Sequence, residues 1–568
     1  MSKPLDGGEA LIRAASDLGA DYIFSSSGSE LAPVWEAYAR RAEAGDESAP
    51  PFVDATHETT AVGMATGYAA VTGRPQVVLL HAAAGLLQGA NAIHGALLTG
   101  APIVVCSGES TGYGDAAGPD PGSQWYRNLS IVGGPQSVAA PFTKWSNEAA
   151  DVNVLYSMVK RAGEIAAQPP SGPVYVNTPV EVLLAQWEPK ATGPAPKPGK
   201  TVAAAEDIET AARLLADAKN PVLATETAGR DPEAFAALVE LAELLAIPVV
   251  EPQSALCANF PRTSPLHAGG ELAKLAKDSD LVVLLGCRAP WYPPSDKPGD
   301  ATVLVVDETP HRPHIAYQVL TADHYVTGDM AHTLRAITAK VRELGADEAS
   351  VAARRERLTT AHAKSEQSRV TAEREALAST EGPADPVAAA AALREAIGQD
   401  SVVIDETITH SRLIAKHLMA ESAGRYRYVQ GGLGQGLGVA LGTKLALKEK
   451  LVAFTVGDGS WLYNPVLPGL MASAQYGLPV LIVVFNNGKY LSMRHNHRRV
   501  YPDSVAARTG YQLGVDLSHQ PDVAAVAAAA GAAAITAATA REIAPALEKA
   551  VATVRGGHSS VVNVILSR

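Results

Sequence analysis

Residues 451–460 read LVAFTVGDGS, and residues 479–489 read PVLIVVFNNGK. Each stretch begins with an apolar, β-branched run of strand length and ends in a turn that places Gly beside Asp or Asn. In open parallel sheets, ligands bind in the crevice at the carboxyl ends of the strands. The two stretches therefore predict two strands of one α/β sheet, with Asp458 and Asn487 at its ligand-binding edge.

The residue types in these two turns suit a metal ion and a phosphate group. Asp458 and Asn487 offer carboxylate and amide oxygens, which a hard cation such as Mg²⁺ prefers, and Mg²⁺ usually keeps phosphate oxygens as further ligands. Gly457 and Gly459 let the backbone approach a diphosphate closely. Either turn alone is more often a simple loop. Together, each directly after a strand, they predict a site for a divalent cation and a diphosphate.

The same alternation of short apolar strands with Ala-rich helices extends along the whole chain. At 568 residues, about three domains are expected. We predict three open, mainly parallel α/β domains over residues 1–188, 202–345 and 385–568. The Pro/Gly/Lys-rich stretch 189–201 indicates an extended linker. The charged, Ala-rich stretch 346–382 indicates a helix and linker that carry no chemistry.

Composition excludes several classes of protein. The net charge is −12 and no Lys/Arg-rich stripe occurs, which argues against nucleic acid as a partner. The chain has three cysteines, Cys106, Cys257 and Cys287, and their spacing is not that of a metal site. So few cysteines exclude a disulfide scaffold and favour a cytoplasmic location. The N-terminus does not read as a signal peptide. No uninterrupted apolar run reaches the length of about 18 residues that a membrane span needs.

The GDGS motif at 457–460 with NNG at 486–488 resembles the thiamine diphosphate signature of the superfamily of acetolactate synthase, pyruvate decarboxylase and benzoylformate decarboxylase. The resemblance covers essentially the whole chain and implies pyrimidine-binding, central and diphosphate-binding domains. It implies thiamine diphosphate and Mg²⁺ as cofactors. The metal ligands would be Asp458, the Asn487 side chain and the Lys489 carbonyl, with Ser460 at the diphosphate. It also implies a homodimer or homotetramer with active sites at the subunit interface.

Two further segments fit the resemblance. In Gly431-Gly432-Leu433-Gly434, Leu433 would wedge the cofactor into its bent shape, and the Gly431 carbonyl would accept a hydrogen bond from the pyrimidine amino group. Without the resemblance, a glycine-rich packing site explains this segment equally well. Thr407 and Thr409 follow the strand SVVI, where hydroxyls at a strand-to-helix turn can bind phosphate. Ordinary helix capping explains either hydroxyl as well.

Thiamine chemistry also needs a carboxyl group at the pyrimidine ring, because the acid promotes loss of the thiazolium proton. Residues 56–75, THETTAVGMATGYAAVTGRP, place Glu58 at the head of a helix of small residues. The superfamily carries its acid before a similar G-x-A-x-G-Y-A helix, and Glu58 is the matching position. An isolated Glu in a first helical turn usually only compensates the helix dipole. With the motif around it, we predict that Glu58 is the activating acid.

The substrate side resembles benzoylformate decarboxylase more than acetolactate synthase. The segment Leu80-His81-Ala82-Ala83-Ala84-Gly85 resembles its histidine-bearing loop, and Gly28-Ser29-Glu30-Leu31 resembles its serine loop. The resemblance implies that Ser29 contacts the substrate carboxylate and that His81 gives or takes a proton. A lone His at a strand end is more often a structural hydrogen-bonding group. We also expect four residues to border the substrate: Trp291, Tyr292, Met493 and His495.

These observations predict an enzyme, a 2-oxo-acid decarboxylase or carboligase that acts on a small molecule. The sequence does not decide whether the product is protonated or captured by a second carbonyl compound. A 2-hydroxyacyl-CoA lyase or oxalyl-CoA decarboxylase type remains open, although the central loop TETAGRDP at 225–232 offers only Arg230 to a CoA diphosphate. An FAD-containing oxidase or synthase also remains open. The lack of G-x-G-x-x-G in the central domain argues against FAD.

Overall fold

A computed structural model describes residues 4–112, 119–127, 129–190, 192–291, 296–312, 322–379, 381–511 and 513–567. The chain packs as two compact units. The first unit comprises Met1–Gly199, Val429–Glu449 and Leu462–Pro479, and the second comprises Lys200–Tyr428, Lys450–Trp461 and Val480–Arg568. Two segments of the predicted third domain therefore pack with the first unit. The predicted domain boundaries themselves stay predictions.

The first unit contains a six-stranded sheet in the order β2-β1-β3-β4-β6-β5, and all its strand pairs are parallel. Its strands are β1 (Ile23–Ser26), β2 (Phe52–Asp54), β3 (Gln76–Leu80), β4 (Ile103–Ser107), β5 (Ser146–Glu148) and β6 (Val174–Asn177). The runs that predicted strands in this block form β3, β4 and β6. These strands are buried along their whole length, as expected for a parallel sheet with both faces covered.

The second unit contains two parallel sheets. The central sheet has the order β11-β10-β9-β7-β8, and the last sheet has the order β13-β12-β14-β15-β17-β16. The central strands are β7 (Pro221–Thr225), β8 (Val249–Val250), β9 (Leu281–Leu285), β10 (Thr302–Asp307) and β11 (His324–Thr327). The last strands are β12 (Ser401–Glu406), β13 (Tyr426–Tyr428), β14 (Leu451–Gly457), β15 (Leu481–Asn486), β16 (Ala533–Ala537) and β17 (Ser560–Ile565). The prediction of three mainly parallel α/β domains is confirmed.

Helices connect the parallel strands. In chain order they are α1 (Gly7–Leu18), α2 (Ala32–Glu43), α3 (Glu58–Thr72), α4 (Ala84–Thr99), α5 (Pro135–Ala139), α6 (Val152–Ala167), α7 (Val180–Leu184), α8 (Ala205–Asp217), α9 (Pro232–Leu245), α10 (Leu272–Ala276), α11 (Met330–Leu344), α12 (Glu348–Ala378), α13 (Pro386–Ile397), α14 (Ser411–Leu418), α15 (Gly436–Ala446), α16 (Asp458–Tyr463), α17 (Val466–Gln475), α18 (Leu491–Val500), α19 (Val505–Thr509), α20 (Val523–Ala529) and α21 (Ala540–Arg555). Among the described helices, none is both long and apolar enough to cross a bilayer.

The long helix α12 occupies most of the stretch that predicted a helix and linker. It is charged and largely exposed, yet a few of its side chains anchor it within the second unit. The Arg354 guanidinium donates to the carbonyls of Leu245 and Ala246. These carbonyls lie at the C-terminal end of α9, where backbone acceptors have no partner within the helix. Glu373 accepts from Arg394 at 2.8 Å, and this ion pair ties the other end of α12 to α13.

The helices α3 and α15 pack against each other inside the first unit with almost no side chain between them. A Cβ at Gly63 would lie 3.0 Å from the Gly438 Cα, and a Cβ at Gly442 would lie 2.8 Å from the Met64 Cα. Because the glycines lack a Cβ, the two backbones can approach this closely. The contact fixes the position of α3, which carries Glu58 at its first turn.

Candidate active site

Glu58 lies in the first turn of α3, as the sequence predicts. The helix begins after His57, whose Nδ1 accepts a hydrogen bond from the Thr59 N–H at 3.2 Å. His57 thus caps the helix. The helix is buried from Thr59 to Ala69, while the Glu58 side chain is half-buried at its exposed end. The carboxyl group of Glu58 is therefore held in place by the N-terminus of a buried helix.

His81 follows β3 directly and is held by a carboxylate that the sequence reasoning did not assign. Both oxygens of Glu30 lie 2.9 Å from the His81 Nδ1, and Glu30 is only 2% exposed. The Ala82 N–H donates to the same carboxylate at 2.7 Å. The hydrogen bond to Glu30 raises the pKa of His81, burial lowers it in part, and the charges of Glu30 and Glu58 raise it further.

Glu58 and His81 lie on either side of Gly85. A Cβ at Gly85 would be 2.9 Å from the His81 Cβ and 3.4 Å from a carboxylate oxygen of Glu58. Ser29 is exposed, and its hydroxyl donates to the Gln124 side chain at 3.2 Å. The structure therefore brings together an acid and an imidazole in the first unit, and Ser29 precedes Glu30, which holds that imidazole.

The glycine segment lies against α4 in the same unit. The Asn91 side chain donates to the Leu433 carbonyl at 3.1 Å, and a Cβ at Gly431 would be 3.1 Å from the Gly95 Cα. Gly431 has a φ of 102°, a conformation that favours glycine. The backbone around Leu433 is therefore fixed by α4, and the Leu433 side chain is half-buried.

In the second unit, Asp458 and Asn487 follow neighbouring strands. Pairing of Gly457 with Phe485 shows that β14 and β15 are adjacent and parallel, so both turns emerge at one edge of the sheet. Asp458 is 2% exposed and Asn487 is 5% exposed. The Lys489 N–H donates to the Asn487 side-chain oxygen at 3.1 Å. This is the arrangement that the sequence predicts.

The Asp458 carboxylate fits a cation. Burial raises the pKa of Asp458, and backbone N–H groups of residues such as Gly488 offset the effect in part. Within the part of the chain that the structure describes, no Lys or Arg forms an ion pair with Asp458. A buried carboxylate without a cation is costly, so a divalent ion beside the Asn487 amide would complete the site.

A Cβ at Gly459 would overlap the Tyr490 ring, with Cδ1 at 2.7 Å, so this turn needs glycine. Gly457 ends β14, and the next residues open α16 with Ser460 buried in its first turn. The Tyr490 ring thus packs directly against the backbone of this turn.

In the turn after β12, the Thr407 hydroxyl already has a partner within the protein. The Thr407 hydroxyl donates to Asp405 at 2.6 Å, and the Thr407 N–H donates to the same oxygen at 2.9 Å. Burial raises the pKa of Asp405, while bonds from Thr407, Tyr426 and Thr455 lower it. The Thr407 proton is thus committed to Asp405. Thr409 is half-buried in the turn.

The two candidate substrate residues of α18 lie on its surface. Met493 is 51% exposed, and His495 is exposed as well. Burial, and secondarily the charge of His495, lowers the pKa of His410 to about 4. His495 therefore lies near His410, which directly follows Thr409. With its lowered pKa, His410 is neutral at neutral pH.

Models of the thiamine pyrophosphate enzymes match all three parts of the chain. The N-terminal TPP binding domain matches residues 5–121, the central domain matches 208–337, and the C-terminal TPP binding domain matches 407–564. The chain belongs to the thiamine pyrophosphate enzymes. Each matched range falls inside one of the three predicted domains.

Named relatives of this thiamine pyrophosphate enzyme span nearly its whole length. Benzoylformate decarboxylase of Pseudomonas aeruginosa is 28% identical over 536 residues, which cover 89% of this chain and 90% of that protein. The acetolactate synthase large subunit of Corynebacterium glutamicum is 26% identical over 566 residues, covering 96% and 84%. The structure of a thiamine diphosphate-dependent 4-hydroxybenzoylformate decarboxylase of Rhodococcus jostii superposes with a TM-score of 0.79 at 24% identity over 99% of both chains, which shows the shared fold.

The central domain of this thiamine pyrophosphate enzyme holds the last predicted substrate residues. Trp291 is 4% exposed and packs in an apolar cluster with Ala224 and Leu284. Tyr292 lies outside the described residues. The structure thus places Trp291 in a domain core.

Four arginines gather at the carboxyl edge of the central sheet, where the sequence indicated only one. Burial lowers the pKa of Arg230 to about 10, and repulsion from Arg427, Arg288 and Arg312 adds to the effect. Arg288 pairs with Glu226, and Arg312 pairs with Asp307. Among the residues that the structure describes, no carboxylate pairs with Arg230 or Arg427.

Two residues near the candidate sites escaped the sequence reasoning. Glu30 follows Ser29 directly, and its position after β1 was the available signal. Gln520 donates to the Asn486 side chain at 3.0 Å and lies 3.5 Å from Asp458. No motif surrounds Gln520, so only the folded chain brings it to the metal turn.

Proposed function

We propose that this thiamine pyrophosphate enzyme is a Mg²⁺-dependent 2-oxo-acid decarboxylase. The observation that carries the proposal is the pair of His81 and Glu58 flanking Gly85, with the carboxylate of Glu30 behind the imidazole. A decarboxylase must return a proton to the carbon that loses CO₂, and an imidazole with a raised pKa is suited to donate it. Carboligation, in which a second carbonyl compound captures that carbon, is the side reaction we expect.

We assign the cofactor-binding roles as follows. Asp458, Asn487 and the Lys489 carbonyl hold Mg²⁺, supported by the buried carboxylate without a cationic partner. We assign to Glu58 the proton that is shared with the pyrimidine ring, supported by its position before the G-x-A-x-G-Y-A motif in the first turn of α3. When bound, thiamine diphosphate supplies the nucleophilic carbon and accepts the electrons that CO₂ leaves behind.

The remaining roles concern the substrate. His81 donates a proton to the reacting carbon, and Ser29, which is exposed, binds the substrate carboxylate. Met493 and His495 border the substrate from α18, where both are exposed. The buried position of Trp291 gives it a supporting role in the central domain.

We further propose a homodimer. Tyr463, Leu467 and Met471 are about half-exposed large apolar residues within one short stretch of the first unit. A contiguous apolar patch on a protein surface usually marks an interface. A second copy of the chain would cover it. A cytoplasmic location stays a prediction from cysteine usage.

An assay of CO₂ release from a panel of 2-oxo acids, including benzoylformate and pyruvate, tests the proposed function. The protein would be supplied with thiamine diphosphate and Mg²⁺. We expect release from at least one acid, loss of activity in Glu58→Gln, and slow turnover in His81→Ala with cofactor affinity within about tenfold of the parent. Equal turnover in Glu58→Gln would contradict the assignment of the acid.

An acyl-CoA lyase or a flavin-containing relative is the second candidate, and the arginine cluster favours it. Arg230 and Arg427 are cationic groups that no described carboxylate neutralises, and a diphosphate would neutralise them. Release of formyl-CoA from oxalyl-CoA, without decarboxylation of any free 2-oxo acid, would favour the lyase. Absorbance near 450 nm in the purified protein would favour the flavin relative.

A further inference from the structure

The pair of Glu30 and His81 has a consequence for the chemistry of the site. We propose that Glu30 is a positioning residue that holds the His81 imidazole through Nδ1 and leaves Nε2 as the ring atom that exchanges a proton with substrate. The proposal deepens the proposed function and rests on it for the role of His81. The geometry that supports Glu30 does not depend on the substrate.

The hydrogen bonds of Glu30 fix the tautomer of the neutral imidazole. Its carboxylate accepts from the Ala82 N–H at 2.7 Å and lies 2.9 Å from the His81 Nδ1 through both oxygens. An ionised carboxylate can only accept hydrogen bonds. The His81 Nδ1 must therefore carry a proton, and in the neutral ring Nε2 has the free lone pair.

Glycines at two positions leave the space that this pair occupies. A Cβ at Gly28 would overlap the His81 imidazole, with Cγ at 2.6 Å, and a Cβ at Gly108 would lie 2.6 Å from the Glu30 Cγ. Gly28 has a φ of −113°, which any residue can adopt, so the imidazole rather than the backbone requires glycine there.

The turn after His81 is strained, which indicates that the ring position is imposed by the fold. Ala83 has a φ of 47°, a conformation that residues with a Cβ rarely adopt. Such strain persists only where the surroundings over-determine the structure, and it clusters at functional sites. The Glu30 bond to the Ala82 N–H lies within this turn and helps to hold it.

The charged groups that face His81 both raise its pKa. Glu30 from the segment after β1 and Glu58 from α3 both raise the pKa of His81, and only burial opposes them. His81 keeps some contact with solvent, whereas the Glu30 side chain is wholly buried. The two carboxylates thus stabilise the imidazolium form, and removal of the Glu30 charge would lower the pKa of His81.

The change Glu30→Gln keeps the shape of the side chain and removes its charge. The glutamine oxygen would still accept from the Ala82 N–H, so its NH₂ group would face the His81 Nδ1. We expect the neutral ring to carry its proton on Nε2, and the pKa of His81 to fall. The basic limb of the pH profile of kcat/KM should move to lower pH with it.

The decisive measurement is ¹⁵N NMR of histidine-labelled full-length protein with thiamine diphosphate and Mg²⁺ present, with the His81 resonance assigned by its loss in His81→Gln. A change of tautomer and a lowered pKa in Glu30→Gln are the expected result. An unchanged tautomer and pKa would overturn the proposal, whatever the activity. A changed tautomer with unchanged kcat/KM would instead contradict the role of His81 in the proposed function.

Two further variants separate positioning from folding. Gly28→Ala keeps both partners but displaces the ring, so it should lower kcat by at least about tenfold without loss of the folded state. Glu251→Gln is the matched control, because Glu251 holds a different histidine, His267, at 3.0 Å in the central domain. It should leave the pH profile unchanged. A Gly28→Ala protein with the kcat of the parent would also overturn the proposal.

Discussion

The contact between α3 and α15 should make Gly67 intolerant of even one added methyl group. A Cβ at Gly67 would lie 2.9 Å from the Thr443 nitrogen and from the Val439 carbonyl carbon, and closer still to the Val439 oxygen. These atoms belong to the backbone of α15, so no side chain can rotate away. The two helices would have to separate by roughly half an ångström or more in a close-packed core.

The size of the effect follows from two opposing contributions. Overpacking of a core costs about 1–3 kcal/mol, and the rigid backbone contact at Gly67 places it at the upper end. Alanine has a helix propensity better than glycine by about 1 kcal/mol, which offsets part of that cost. The net loss for Gly67→Ala is therefore about 2 kcal/mol. For a unit of this size, that corresponds to a fall of about 4–8 °C in the melting temperature.

Differential scanning calorimetry of the full-length protein measures this fall. Gly193→Ala is the control, because a Cβ there would meet no atom within 4 Å. Since α3 carries Glu58, the Gly67→Ala protein should also bind thiamine diphosphate more weakly, as followed by tryptophan fluorescence. If Gly67→Ala melts together with Gly193→Ala, the close approach of the two helices is wrong.

Three other changes test separate parts of the molecule. Asp458→Ala should abolish retention of thiamine diphosphate through gel filtration, and full retention would contradict the metal assignment. Burial would raise the pKa of Glu373, but hydrogen bonds from its partners lower it from the ordinary 4.5 to about 2. Its stabilisation is therefore complete above about pH 5 and lost as the pH falls toward 2, and urea unfolding of Glu373→Gln should lack this acid dependence. Replacing both Leu467 and Met471 with Ser should shift the mass from dimer to monomer in light scattering, and an unchanged mass would contradict the proposed interface.

The sequence predicted those parts of the fold and site that depend on local pattern. The apolar runs before Asp458 and Asn487 form adjacent parallel strands, because β-branched periodicity and glycine turns act over a few residues. Glu58 lies at the head of its helix for the same reason. The edge strands β2 and β5 are only three residues long, and β5 is entirely polar, so no apolar run predicted them.

What the sequence by itself determined is the family, the three parallel sheets and the two turns that carry Asp458 and Asn487. Only the tertiary structure joined Glu30 to His81 across 51 positions, committed Thr407 to Asp405, and brought Arg427 beside Arg230. Hydrogen bonds and charge contacts between distant segments depend on how the sheets and helices pack. Local sequence patterns do not predict that packing, because a polar residue at a strand end could contact many different partners, and the fold decides which of them it contacts.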